Sequence, residues 1–278
     1  MQDYAKALSD FEQAIKLSPR WTQAHINRGI THYAMKNYEQ ALEAFKQVLA
    51  LDANNIHALN HCGFTFYHLN AYDAALEAFA QVLEKEAQNV RAWLGRGLVF
   101  IAWKKYPEAL EVYNQLLTWK PENTEALNNR GWVYYALKQH EQAFVDYNQA
   151  LSINPNASIY LYLNRAWIYA EQGDFSSALE DCEQALRIDD AHPIVYAYRA
   201  RVYCLQGNFE QALANCERAL AQDTQSADAY AVRGLISFHQ GDNSQARNDF
   251  EQALTLSKNL FWIDEEYARV CSTLQNAD

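Results

Sequence analysis

One alanine recurs along this chain at an almost constant interval. The spacing is 34 residues at every step except one of 35 residues, between Ala143 and Ala178. The eight positions are Ala7, Ala41, Ala75, Ala109, Ala143, Ala178, Ala212 and Ala246. Self-similarity at such a period indicates a repeat protein, in which each unit packs mainly on its neighbours. One repeated unit therefore determines the fold.

The residues around each alanine keep the same period. An aromatic residue or cysteine follows four residues later, at Phe11, Phe45, Phe79, Tyr113, Tyr147, Cys182, Cys216 and Phe250. A small residue precedes by twelve, at Gly29, Gly63, Gly97, Gly131, Ala166, Ala200 and Gly234. Where the small residue gains a methyl group, the ring is replaced by cysteine. This compensation predicts that the two columns touch in a close-packed core.

Each period contains two stretches with helical spacing. In the fourth, Trp93 and Gly97 share one face of a first helix, and Tyr106, Ala109 and Tyr113 share one face of a second. Neither helix can bury its stripe alone, so the pairs are expected to stack. Only 9 Gly and 5 Pro among 278 residues also favour helices over strands.

Together, the alanine, its small partner, the aromatic residue and a closing proline resemble the tetratricopeptide repeat (TPR) family. Proline closes the period at Pro19, Pro121 and Pro155, and five repeats lack it. The stretch 129–155 looks like a bacterial TPR array in particular. The resemblance implies an all-α fold, a right-handed TPR superhelix, which is an α-solenoid of antiparallel helix pairs.

The resemblance also predicts a domain organisation, with a single TPR solenoid over residues 1–278. Residues 1–21 match only a second helix, which makes a partial repeat, and residues 261–278 are expected to form a C-terminal capping helix. Full repeats are expected at 22–55, 56–89, 90–123, 124–158, 159–192, 193–226 and 227–260.

The first helices carry a second stripe, away from the buried one, at 15, 11 and 8 residues before each alanine. In TPR proteins this face lines the concave groove that holds peptides, and aromatic rings and amides suit that role. The predicted groove residues on this stripe are Ile30, Tyr33, Asn60, Phe64, Tyr67, Leu98, Trp132, Tyr135 and Trp167. Asn27, His61, Asn129 and Asn164 join them from the column two residues before the small residue. Two alternatives stay open: neighbouring first helices bury the stripe against one another, and the asparagines make local hydrogen bonds.

Arginine directly precedes the small residue in six of the seven full repeats, at Arg28, Arg96, Arg130, Arg165, Arg199 and Arg233. Aspartate stands at a fixed place on four second helices, at Asp10, Asp146, Asp181 and Asp249. The two columns predict structural Arg–Asp pairs within or between repeats rather than ligand binding.

No pattern in the chain indicates catalysis, a cofactor or a metal. His57 and His61 have the i, i+4 spacing of metal ligands, but no carboxylate or cysteine completes the set, so a solvated or groove-lining role is expected. The five cysteines lack CxxC spacing, which indicates reduced thiols in a cytoplasmic protein. Motifs such as GxSxG and HExxH are missing from the sequence, so an enzyme is not expected.

The net charge of −11 argues against nucleic acid or an anionic membrane as the main partner. The sequence thus predicts a non-catalytic scaffold that binds a protein or peptide segment in an aromatic groove, and the acidic charge favours a segment with some Lys or Arg. Two alternatives remain: the sensor or recognition segment of a larger signalling or enzymatic protein, and a self-associating structural module, with a homodimer through the open N-terminal edge.

Overall fold

The computed structural model describes residues 2–257, and the secondary structure within them is entirely helical. Its helices are α1 (Gln2–Leu17), α2 (Thr22–Ala34), α3 (Tyr38–Leu51), α4 (Ile56–His68), α5 (Tyr72–Lys85), α6 (Val90–Ala102), α7 (Tyr106–Trp119), α8 (Thr124–Ala136), α9 (His140–Ile153), α10 (Ile159–Glu171), α11 (Phe175–Ile188), α12 (Pro193–Leu205), α13 (Phe209–Gln222), α14 (Ala227–His239) and α15 (Asn243–Leu256). The all-α TPR fold class is confirmed. The expected capping helix at 261–278 lies outside the described residues.

The chain forms two compact units, Met1–Gln139 and His140–Asp278. In the first unit, each of the first helices α2, α4 and α6 packs on the second helix that follows it, and each second helix packs on the next first helix. The second unit repeats this arrangement from α10 to α15. The seven first helices begin at the residues where the full repeats were expected to begin. The organisation of the whole chain as one solenoid stays a prediction.

Glycine and aromatic residues meet where the two helices of a pair cross. A Cβ atom added at Gly29 would lie 2.5 Å from Cε1 of Phe45, and one added at Gly97 would lie 2.3 Å from Cζ of Tyr113. Both rings are fully buried. The predicted contact between the two columns is therefore confirmed, and the ring fills the space that the absent side chain leaves.

A side chain on the first helix fixes the loop before it in four repeats. The side chain of the fourth helical residue hydrogen-bonds the backbone carbonyl oxygen of the residue six positions earlier. That earlier residue stands in the column where some repeats have the closing proline. The pairs are His25 with Pro19 (2.9 Å), Trp93 with Ala87 (2.9 Å), Tyr196 with Asp190 (2.7 Å) and Tyr230 with Thr224 (3.3 Å). Three of these four loops lack the proline, so the hydrogen bond supplies part of the restraint that the ring would give.

Arginines bridge the second helices of neighbouring pairs. Arg165 on α10 donates two hydrogen bonds to Asp181 on α11, at 2.8 and 2.6 Å, and a third to Asn148 Oδ1 on α9, at 2.6 Å. Arg233 makes the same paired contact with Asp249. The predicted Arg–Asp pairs are thus confirmed at these two positions.

Other arginines of this column bond amides instead. Arg199 bonds Asn215 Oδ1 at 2.7 Å and also pairs with Glu183. Arg28 donates to Gln47 Oε1 at 2.7 Å. A guanidinium offers five N–H donors in a fixed fork, so it can hold two helices at once whether the acceptor is charged or neutral.

Candidate ligand-binding surface

Most of the second stripe of the first helices is buried in residues 140–257, with Arg201 and Phe238 half-buried. Leu163, Ala197 and Ala231 are fully buried, and Cys204 and Leu235 nearly so. Direct packing contributes here, because α10 contacts α12 and α12 contacts α14, and first helices contact one another in residues 2–139 too. In this unit, therefore, the stripe forms part of the core, as the alternative interpretation of the sequence proposed.

In residues 2–139 the same stripe is only partly covered. Its first position is buried, at Ile26, Asn60 and Leu94. Its second and third positions are half-buried or exposed, at Ile30, Tyr33, Phe64, Tyr67, Leu98, Ile101, Trp132 and Tyr135. Ile30 is 40% exposed. This unit therefore has a row of large apolar side chains that α2, α4, α6 and α8 do not fully cover.

Contacts with neighbouring rings fix two tyrosines of this row, Tyr33 and Tyr67. Tyr33 meets the rings of Tyr38 and His68 edge to face, with centroids 5.5 and 5.3 Å apart. Tyr67 contacts His68 in the same way at 5.0 Å, and His68 stacks on Tyr38 at 4.7 Å. Burial raises the pKa of Tyr33 to about 12 and also raises the pKa of Tyr67. Both hydroxyl groups are therefore neutral hydrogen-bond donors at pH 7.

The environment of Phe64 is cationic. Its ring meets Phe79 edge to face at 5.1 Å, and the Arg91 guanidinium carbon lies 5.2 Å from its centroid. Nearby, His61 stacks on Phe45 at 4.9 Å. Burial, followed by the charges of Arg91 and His57, lowers the pKa of His61 to about 4. A cation, Arg91, thus lies beside the stripe at this point although the whole chain is acidic.

Two predicted groove residues are less accessible than expected. Asn60 is buried, and its Nδ2 donates to the Ile56 carbonyl oxygen of its own helix at 3.1 Å. Trp167 is 9% exposed, its indole N–H donates to Glu171 Oε1 at 3.0 Å, and Arg201 covers its ring at 3.3 Å. The expectation that both side chains are accessible on the groove surface is therefore wrong.

The remaining asparagines of the predicted set are half-buried. Asn27 Oδ1 accepts from Gln23 Nε2 at 2.8 Å, and Asn129 Oδ1 accepts from Asn128 Nδ2 at 3.4 Å. Asn164 lies on α10 in the second unit. Local hydrogen bonds occupy some of the amide atoms, as the second alternative proposed, and a role in holding a peptide backbone stays a prediction.

Profiles described as tetratricopeptide repeat match most of the chain, at residues 22–55, 65–118, 124–157, 169–236 and 227–260. The chain belongs to the TPR family. The TPR fold generally serves as a scaffold for protein interactions, and the repeats of this chain support that role. A comparison with curated protein sequences finds no match.

Solved structures show the same fold at low sequence identity. A TPR protein from Parabacteroides merdae is 23% identical, with a TM-score of 0.71 over 88% of this chain and 96% of that one. Yeast Tom70 is 16% identical, with a TM-score of 0.71 over 99% of this chain and 60% of its own. For the APC/C Cut9–Hcn1 hetero-tetramer the values are 16% and 0.66, over 94% of this chain and 51% of that one.

Among residues 2–257, no group of three or more His, Cys, Asp and Glu side chains is placed to hold a metal ion. None of the helices in that range is long and apolar enough to cross a lipid bilayer.

Proposed function

We propose that residues 2–139 bind a peptide or protein segment along the second stripe of α2, α4, α6 and α8. One observation carries the proposal: the second and third positions of this stripe hold half-buried or exposed large apolar side chains in all four first helices here. In residues 140–257 Trp167, Ala170, Cys204 and Leu235 are buried at these positions, and Phe238 is the half-buried apolar side chain among them. Contiguous exposed apolar surface on a soluble protein usually marks an interaction site.

The repeat spacing suits an elongated ligand. Ile30, Phe64, Leu98 and Trp132 are 34 residues apart, so each presents one large apolar side chain from one helix pair. Large rings supply contact area with little loss of side-chain entropy. The neutral hydroxyl groups of Tyr33 and Tyr67 can donate to carbonyl oxygens of the ligand. The ligand is therefore an extended or helical segment with large apolar side chains at intervals.

Local charge refines the expected ligand. Net charge alone favoured a ligand with Lys or Arg, but the Arg91 guanidinium lies against the Phe64 ring. A ligand carboxylate that passes Phe64 would meet the guanidinium at close range, whereas a ligand lysine there would be repelled. An Asp or Glu beside one of the apolar anchors is therefore favoured at this point.

The same surface would serve a sensor segment of a larger protein, because recognition there needs the same contacts. Self-association through the N-terminal edge stays a prediction. On α1, Leu8, Phe11 and Ile15 are half-buried rather than fully exposed, while Tyr4 and Leu17 are exposed.

Site-specific photocrosslinking to a selected peptide tests the proposal. The full chain is panned against a random peptide library, and the best peptide is crosslinked from a photoreactive residue placed at Leu98. The matched control carries the same group at Val145, which is 63% exposed on α9. We expect a crosslink from position 98 and none from position 145. Crosslinking from position 145 alone would move the binding surface to another part of the chain.

A further inference from the structure

One edge of residues 2–139 carries lysine at backbone positions that favour glycine. This turn edge is the side where each first helix turns into its second helix, at residues 35–37, 69–71, 103–105 and 137–139. Lys36, Lys104 and Lys138 have φ angles of 60°, 59° and 61° there. The left-handed region suits glycine, and after it asparagine, better than a long side chain. Three lysines on one edge therefore occupy strained positions.

Packing does not account for these lysines. The equivalent turns of residues 140–257 use Gly173, Gly207 and Gly241, at φ angles of 80°, 80° and 84°. A Cβ atom added to any of these glycines would lie in open space, so the turn itself needs no side chain. All three lysines are exposed, and within residues 2–257 none of them forms an ion pair. Backbone strain that serves no packing points to a role outside the fold.

Ring contacts between consecutive helix pairs fix the spacing of the turns. Tyr38 on α3 stacks on His68 on α4, with centroids 4.7 Å apart, and Tyr72 on α5 meets Trp103 after α6 at 5.8 Å. Lys105 Nζ lies 3.4 Å from the centroid of the Trp103 ring, which adds a fourth ammonium group to the edge. The turns, and the lysines that they carry, are therefore set at regular intervals before a partner arrives, which lowers the entropic cost of binding.

We propose that the turn edge binds an acidic segment of a partner protein, with Asp or Glu at about every third residue. Lys36, Lys104, Lys105 and Lys138 supply four positive charges, and the turns themselves contain no Asp or Glu. Packed helices lie roughly 8–10 Å apart, and an extended chain advances about 3.4 Å per residue. Carboxylates three residues apart therefore match the lysines of consecutive turns.

The acidic residues next to the turns favour a peptide over a nucleic acid. Glu39, Asp73 and Glu108 stand in the first turn of α3, α5 and α7. A nucleic acid carries a phosphate on every nucleotide, so it would meet these carboxylates as well as the lysines. The net charge of −11 adds to the repulsion. A peptide can instead place neutral residues opposite the carboxylates.

Fluorescence anisotropy of the full chain with a labelled peptide tests the proposal. The peptide has twelve residues, with Glu at every third position and Ser or Gly elsewhere, so it offers no apolar anchor to the second stripe. The same peptide with Gln in place of Glu is the neutral reference. We expect the Glu peptide to bind with a Kd below about 1 mM, at least about tenfold more tightly than the Gln peptide, and more weakly as salt is added.

Three results would overturn the proposal. They are equal affinities for the two peptides, no binding of the Glu peptide up to about 1 mM, and tighter binding of a twelve-nucleotide oligothymidylate than of the Glu peptide. The last result would identify the edge as a surface for single-stranded nucleic acid.

A triple variant locates the contact without a loss of stability. It combines Lys36→Gly, Lys104→Gly and Lys138→Gly, which removes three charges and gives each turn the residue that the later repeats use. Since glycine relieves the backbone strain, the variant stays folded. The Glu peptide should bind to it at least about tenfold more weakly.

The matched control removes the same number of charges from the opposite ends of the second helices. It combines Lys16→Gln, Lys85→Gln and Lys120→Gln, at the last turns of α1 and α5 and just after α7. Its affinity for the Glu peptide should fall less than about threefold. Equal losses in the two variants would show that net charge alone attracts the peptide and would overturn the proposal. Neither variant changes a residue of the second stripe, so the surface proposed above is tested separately.

Discussion

The ring of Phe79 occupies the space that a side chain at Gly63 would need. A Cβ atom at Gly63 would lie 2.5 Å from Cε1 of Phe79, and one at Gly95 on the next first helix would lie 2.3 Å from Cζ of the same ring. One fully buried aromatic side chain therefore fits between two glycines from consecutive helix pairs. The glycine column is thus a packing requirement of the stack, not a source of flexibility.

Gly63→Ala should destabilise the protein by about 1–3 kcal/mol, because the buried ring has no free space to move into. The matched control is Gly234→Ala, where the nearest ring atom would be 3.2 Å away and the gain in helix propensity offsets part of the cost. Urea denaturation measures both. Combining Gly63→Ala with Phe79→Leu should cost less than the sum of the single changes. Strict additivity would contradict the contact.

Arg165→Gln should destabilise the protein by about 3–5 kcal/mol, because it leaves the buried Asp181 carboxylate without its paired donors. Adding Asp181→Asn should restore part of the loss, since the charge is then removed as well. Arg187→Gln, on the exposed face of α11, should change the free energy of unfolding by less than about 0.5 kcal/mol. Equal effects of Arg165→Gln and Arg187→Gln would show that the bridge contributes nothing.

His61 should titrate near pH 4 in the folded protein, because burial, Arg91 and His57 lower its pKa. An unfolded chain binds this proton near pH 6.5, so the unfolded state holds more protons between about pH 4 and 6.5. The stability contributed by neutral His61 is therefore present above that window and is lost as the pH falls through it. An NMR titration of the His61 ring gives the midpoint directly, and a value near 6.5 would contradict its packing against Phe45.

Lys104→Gly should stabilise the protein by roughly 0.5–1 kcal/mol. Lys104 has a φ of 59°, in the left-handed region, whereas the corresponding turns of later repeats use glycines such as Gly207, with a φ of 80°. A side chain in that region is strained and glycine is not. The reverse change, Gly207→Ala, should destabilise by a similar amount. Thermal unfolding of both variants measures the two changes in stability. A destabilised Lys104→Gly variant or a stabilised Gly207→Ala variant would contradict the turn assignment.

The fold could be predicted because each repeat carries the same local information. The spacing of the repeated columns predicts the helices. In two repeats alanine replaces the glycine while cysteine replaces the aromatic residue, and this paired change predicts the contact where the helices cross. Alternate use of aspartate, asparagine and glutamine opposite the arginine column was harder to foresee. Any of these side chains can accept hydrogen bonds from a guanidinium. A prediction based on charge pairing alone therefore named too few kinds of acceptor residue.

The candidate site was only partly predictable, because exposure depends on how closely first helices approach one another. On the second stripe, residues 140–257 carry small side chains at Ala170, Ala197 and Ala231, which allow close packing. At the third position of the stripe, residues 2–139 carry the larger Tyr33, Tyr67 and Ile101, where residues 140–257 carry Ala170 and Cys204. This difference in side-chain size was present in the sequence. Arg201 was on the stripe too, but only the structure shows that it covers Trp167.

The central claim is that the partly exposed stripe of residues 2–139 binds the ligand. It is tested most directly by a fluorescence titration. The labelled peptide selected from the random library is titrated with the parent chain and with two tryptophan variants. Trp132→Ala removes a ring from the stripe, and Trp21→Ala removes a ring of the same unit that is 53% exposed outside it. The account predicts that Trp132→Ala weakens binding roughly thirtyfold, about 2 kcal/mol, while Trp21→Ala changes it less than about twofold. Equal affinities for both variants, with helical circular dichroism intact, would contradict it.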